Sequence, residues 1–215
     1  MLKQSDIVVT NPPFSLFREY LGQLVEYGKK FSIIGNVNAI TYKEVFPLIK
    51  NNELWLGNGF HAGNAYFSTP NVREYASGVY DEKSNLVKFR NCHWFTNIDH
   101  GRRHQPLSLM TMADNLKFNK KMSGKTSYDR YDNYDAIEVP FTNAIPGDYD
   151  GVMGVPISFL DKYNPEQFEI IGATESEGKG FSEGLWYHQS KVSQPLVGGN
   201  RIYKRIFIKH RRANS

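Results

Sequence analysis

A chain of 215 residues is long enough to bury a sizeable core and to make one large domain or two small ones. Its 26 basic against 22 acidic residues give a formal charge of +4 and a pI near 9.0, which is compatible with a nucleic-acid partner without being diagnostic of one. A single cysteine, Cys92, excludes an intrachain disulfide framework and fits a reducing cytoplasm, and the sequence offers neither a bilayer-spanning apolar stretch nor a signal-peptide core.

The apolar run Ile7-Val8-Val9 predicts a short buried strand over residues 6–10. Asn11-Pro12-Pro13-Phe14 follows as a stiff turn, because both prolines fix φ and lack an N–H. Phe17, Leu21, Leu24 and Val25 recur at helical spacing and predict an amphipathic helix over 15–29, ended by Gly28 with Lys29 and Lys30 at its negative pole. Phe31–Ile34 predicts a second strand, and this strand–helix–strand unit has the size of a parallel crossover. Residues 43–50 predict a short helix and Glu53–Leu56 a strand. Val87–Thr96 predicts one long strand whose Phe and Trp suit a buried face. Beyond about residue 105 the chain reads as loop-rich and polar, typified by Tyr128–Asp135, and a soft boundary separates 1–104 from 105–215. Phe168–Gly172 and Arg201–Ile208 predict late strands, with Gly198-Gly199-Asn200 as a turn before the second. The expected fold class is α/β, an open sheet followed by a mainly β, loop-rich segment.

A rigid turn at the carboxyl end of a strand is where open α/β sheets place ligands. The strand, the Asn-Pro-Pro-Phe turn and the following helix resemble motif IV of the amino-methyltransferases, enzymes that methylate exocyclic amino groups of bases. Asp6–Tyr20 as a whole is similar to the corresponding region of the EcoRI-type adenine-specific DNA methyltransferases. So are Trp94-Phe95-Thr96-Asn97, Gly151–Pro165, Phe168–Gly172 and Tyr203–Ile206, in the expected order. The resemblance implies a methyltransferase-type (Rossmann-like) sheet, S-adenosylmethionine as cofactor and adenine N6 in double-stranded DNA as substrate, in a restriction-modification context. It also implies site roles. The Asn11 side-chain oxygen and the Pro12 carbonyl would face the two N–H bonds of the target amine, Pro13 would stiffen the turn, and Phe14 would stack on a base flipped out of the duplex.

In that family a glycine-rich cofactor motif and an acidic ribose-binding residue lie upstream of motif IV, whereas the turn here starts at residue 11. The expectation is therefore an incomplete sheet: residues 1–104 as the later half of the catalytic domain, no assigned cofactor-binding residues, and a missing N-terminal half or a second copy as candidate partners. Leu56–Gly63 is the best downstream glycine-rich candidate, but Asn64–Pro70 does not read as the helix such a loop requires. Gly172–Gly180 follows a strand and also lacks a helix.

Basic stretches supply candidate DNA contacts: Arg102, Arg103 and His104, then Lys120 and Lys121, then Lys204 and Arg205 on opposite faces of a predicted strand. Solvated loops explain the same charges equally well. No clustered Cys and His complete a metal site, and no nucleophile–base pair for hydrolysis stands out. The alternative to a methyltransferase is a catalytically inactive DNA-binding module. Action of the same turn on RNA or protein amides is a third option.

Overall fold

The computed structural model describes residues 2–58, 64–70, 75, 77–174, 180–187 and 189–211. It divides into two compact units, Met1–Asp99 and His100–Ser215.

In the first unit, β1 (Ile7–Thr10) leads through the proline turn and a 3-10 turn, Phe14–Leu16, into α1 (Phe17–Glu26). β2 (Lys30–Asn36) returns parallel to β1, pairing Ile7 with Lys30 and Thr10 with Ile33, so the predicted crossover is present. Gly28 ends α1 at φ +59, with Gly28 N–H on Val25 O at 3.0 Å and Lys29 N–H on Leu24 O at 2.9 Å. These two reversed bonds are a Schellman stop, which needs a residue that tolerates positive φ. Phe17, Leu21 and Leu24 are buried, but Val25 is 43% exposed, because it sits about 100° further round the helix than Leu24. A Cβ on Gly35 would lie 2.4 Å from the Phe17 ring, which meets Phe95 edge-on at 5.0 Å. Gly35 thus admits the start of α1 against the sheet, and that contact fixes the turn just before it.

The chain continues through α2 (Phe46–Lys50), β3 (Trp55–Leu56), β4 (Asn64–Ser68), β5 (Tyr80–Asp81), β6 (Leu86–Arg90) and β7 (Cys92–Thr96). The main sheet has the order β1-β2-β7-β3, with β7 antiparallel to both neighbours. Asn97 clips its end: its side chain accepts from Phe31 N at 2.9 Å and donates to Lys29 O at 2.8 Å.

Two expectations change here. The single strand over 87–96 is two strands in different sheets, broken at Asn91, which adopts φ +58; β6 turns away to pair with β4 and β5. β1 is not buried: Ile7 and Val9 are 57% and 65% exposed, because β1 is the edge strand and α1 covers only one face. Gly57, in the glycine-rich segment already read as a poor cofactor loop, sits at a strand end. Its N–H bonds to Trp94 O at 2.9 Å and prolongs the pairing of β3 with β7, while Gly59 and Gly63 lie outside the described residues.

The second unit contains α3 (Met112–Phe118), β8 (Ile137–Glu138), β9 (Met153–Pro156), β10 (Phe168–Ala173), β11 (Leu196–Val197), β12 (Asn200–Arg201) and β13 (Arg205–His210). Its sheet has the order β10-β13-β9-β8, parallel only between β8 and β9. The predicted strand over 201–208 is split: Asn200–Arg201 closes a hairpin on Leu196–Val197 through Gly198 and Gly199, both at positive φ, and β13 starts afresh at Arg205. Gly172, expected in a glycine-rich segment, sits at a bulge, where a Cβ would lie 2.3 Å from Phe181 O; residues 175–179 of that segment lie outside the described residues.

The segment read as a polar loop supplies core. Tyr128, Tyr131 and Tyr134 are 7%, 5% and 1% exposed, and Tyr131 and Tyr134 pack on Phe207 at 6.0 and 5.1 Å. Gly154 makes room for Tyr131, whose hydroxyl would lie 2.1 Å from an added Cβ. The Tyr131 hydroxyl donates to Glu138, and Glu138 is gripped by Arg205, Nη2 to Oε1 at 2.6 Å, with side chains 11% and 7% exposed for Arg205 and Glu138. Burial, then the Glu138 charge, pushes the Tyr131 phenol far up.

Burial also raises Tyr128 to about 12, helped by Asp148. An unfolded tyrosine ionises near pH ~10, so between that pH and the native value the unfolded state has released a proton that the native state keeps. Stability therefore falls as pH rises through this window. Tyr128→Phe removes one of the titrating groups, and we expect a shallower loss of urea resistance between pH 9 and 11; an unchanged slope would count against it.

Candidate active site

The residues of the turn divide their tasks. β1 delivers the chain to Asn11, which is exposed; Pro12 is buried and anchors the turn, while Pro13 and Phe14 face outward. Pro13 is extended at φ −55, ψ 131, and its carbonyl accepts Leu16 N–H at 2.9 Å. The Pro13 carbonyl is therefore committed to starting the 3-10 turn.

The turn forms one wall of a cleft of about 500 Å³. Ile34 of β2 and Cys92 of β7 contribute to the lining, as do Ala65 and Phe67 of β4 and Phe89 of β6. Phe67 and Phe89 meet edge-on at 5.5 Å. Phe14, Phe67 and Phe89 are 43%, 45% and 49% exposed. Three half-exposed phenylalanines around one apolar cleft leave aromatic faces available to a flat ligand. The Cys92 thiol is pushed up by burial, which makes it an apolar lining group rather than a nucleophile. Sequence reasoning found Phe14 but missed Phe67 and Phe89. The signal for Phe89 was Asn91, a residue type that tolerates the left-handed conformation and can turn a strand out of its sheet.

The predicted DNA-contacting residues fall in the second unit and separate into two kinds. Arg102, His104, Lys120 and Lys121 are exposed. Arg103 is only 6% exposed, because the 3-10 turn Gly101–His104 points it inward, and Arg205 is held in the ion pair with Glu138. Both drop out of the contact set for that reason. Lys204 is half-buried in the connection before β13, not on a strand face opposite Arg205. Among the described residues, no group of three or more His, Cys, Asp or Glu is placed to hold a metal, and no helix is long and apolar enough to cross a membrane.

Residues 1–211 match the family described as adenine-specific methyltransferase EcoRI. The chain belongs to this EcoRI-type adenine-specific methyltransferase family. Among its relatives, the type II methyltransferase M.EcoRI of Escherichia coli is 48% identical over 99% of this chain and 60% of its own length. M.MpnI of Mycoplasma pneumoniae is 35% identical over 98% of this chain and 66% of its own, and M.MgeORF184P of Mycoplasma genitalium is 34% identical over 97% and 66%. The chain thus spans 60–66% of the length of these relatives. All three are named as methyltransferases, which does not favour the reading of a catalytically inactive binding module. No solved structure matches the chain.

Proposed function

We propose that this chain is the base-holding and DNA-contacting part of an adenine-N6 DNA methyltransferase acting in the cytoplasm in a restriction-modification setting. The observation that carries this reading is that the Asn-Pro-Pro-Phe turn shares the lining of one apolar cleft with Phe67 and Phe89. An adenine amine is a poor nucleophile because its lone pair is delocalised into the ring. The Asn11 side-chain oxygen accepts one N–H and the Pro12 carbonyl accepts the other, which favours a pyramidal nitrogen with a localised lone pair. The Pro13 carbonyl is the poorer acceptor for this, since it already takes the Leu16 N–H. The stiffness of the turn keeps the nitrogen oriented. Phe14 stacks on one face of the base, and Phe67 and Phe89 pack around its remaining edge and face. Extruding a base costs a few kcal/mol, and stacking on an aromatic platform offsets ~1–3 kcal/mol of it. Once methylated, the nitrogen loses its proton to water, so no protein base is required.

S-adenosylmethionine is the methyl donor that family membership implies. Among the described residues the cleft lining holds no carboxylate to accept ribose hydroxyls, so no residue of this chain is assigned to the donor. The first unit carries the catalytic turn, and the second contacts double-stranded DNA. The edge of β1 with exposed Ile7 and Val9 accepts a further strand, from the remaining family length or from a second copy. We expect the chain by itself to self-associate in sedimentation at rising concentration; a strict monomer throughout would contradict pairing between copies. The function itself is tested by incubating duplex DNA with deuteriomethyl S-adenosylmethionine and the active protein, then analysing nucleosides. Label on adenine N6 supports the reading, and label confined to cytosine or to protein defeats it.

A further inference from the structure

The second unit contains a recess of about 380 Å³ that the catalytic reading does not use. Its lining includes the cations Arg102 and Lys162 together with Gln105, Ser108, Thr142 and Asn143, and among the described residues no carboxylate. The walls are held in place. Gln167 bonds both backbone groups of Leu107, accepting from its N–H at 2.8 Å and donating to its carbonyl at 2.9 Å. Asn119 donates to Asn143 O at 3.0 Å. That bond brings the second basic stretch beside the recess, where Lys121 lies 4.9 Å over the Phe141 ring. Arg102, Lys120, Lys121 and Lys162 are all exposed. Residues 102–108, 142–143 and 162 thus converge on one recess offering cations and neutral hydrogen-bonding side chains, with the Lys120–Lys121 turn tied to it through Asn119.

We propose that this recess seats backbone phosphates of duplex DNA, with Lys162 and Arg102 as the cations and the Lys120–Lys121 turn extending the track. The assignment rests on the nucleic-acid reading above. A row of surface cations beside a fixed polar recess suits a polyanion with regularly spaced charges, and phosphate contacts of this kind orient a protein on DNA without reading sequence. Lys162 is the residue that sequence reasoning did not single out.

The test uses the full chain and a fluorescent duplex, with affinity measured across a potassium chloride series. Lys162→Ala is expected to weaken binding about equally on unrelated sequences and to lower the slope of log affinity against log salt by ~0.9, the value for one lost phosphate contact. Lys191→Ala, at another exposed lysine, should leave the slope unchanged. A wild-type slope in Lys162→Ala, with wild-type affinity in Lys162→Glu, overturns the recess assignment alone. Absence of salt-sensitive DNA binding by the unsubstituted chain removes both this assignment and the DNA reading beneath it. Inorganic phosphate at constant ionic strength distinguishes the other source of the same chemistry. Thermal protection by phosphate that Lys162→Ala loses, with an unchanged DNA slope, would assign the recess to a free anion and overturn the proposal.

Discussion

Replacing Asn11 by alanine should cut methyl transfer by ~10²–10³-fold, the scale observed when one oriented hydrogen-bonding partner is removed from a reacting centre. The loss should fall on kcat more than on DNA affinity, because the amide acts on the nitrogen as it becomes nucleophilic. The fold should not notice. Asn11 is exposed, so circular dichroism and the urea midpoint are expected to match those of the unsubstituted protein. Asn11→Asp keeps oxygen acceptors and should retain more activity than the alanine variant. Near-normal turnover in Asn11→Ala, measured in the methylating form of the protein, would mean that the turn does not hold the target amine.

The second large effect concerns Arg205, and it reverses the sequence-based expectation of a DNA contact. Arg205→Met should destabilise the protein by ~3–5 kcal/mol, because it strands the buried Glu138 carboxylate without its cation. The Tyr131 hydroxyl alone cannot replace a guanidinium that contacts both carboxylate oxygens of Glu138. Pairing the change with Glu138→Leu should recover much of the loss, since an apolar replacement of both partners leaves no buried charge behind. Urea unfolding of the two single variants and the double variant measures the coupling directly. A DNA-contact role predicts the opposite pattern: weaker DNA binding with unchanged stability in Arg205→Met.

Much of the first unit could be read from local chemistry. The parallel crossover followed from an apolar run, a helical stripe and a second apolar run, and the stop at Gly28 followed from the demand for positive φ. Gly198 and Gly199 marked their hairpin for the same reason. The misreadings share a different cause. Val87–Thr96 alternates well enough to look continuous, yet Asn91 takes the left-handed conformation only because β6 has β4 and β5 to pair with, and pairing at that range leaves no local trace. In Tyr128–Asp135 the acids disguised a period of three, which puts tyrosines inward and Asp132 and Asp135 outward. Arg103 and Arg205 were read by their charge, whereas burial and the position of Glu138 decide what they do. The turn was legible because the role proposed for it sits in four consecutive residues. The aromatic part of the lining was not, since Phe67 and Phe89 become neighbours only through the pairing of β4 with β6.

If the cleft beside Phe14 receives the extruded adenine, as proposed, position 14 lies against that base. The most direct measurement places p-azidophenylalanine at position 14 of the methylating protein, bound to its substrate duplex, and identifies the photocrosslinked nucleotide by mass spectrometry. The same substitution at exposed Phe118 serves as the surface control. A crosslink from position 14 to a single adenine base is expected. Crosslinks from position 14 only to sugar or phosphate, or none while position 118 reacts, would contradict it.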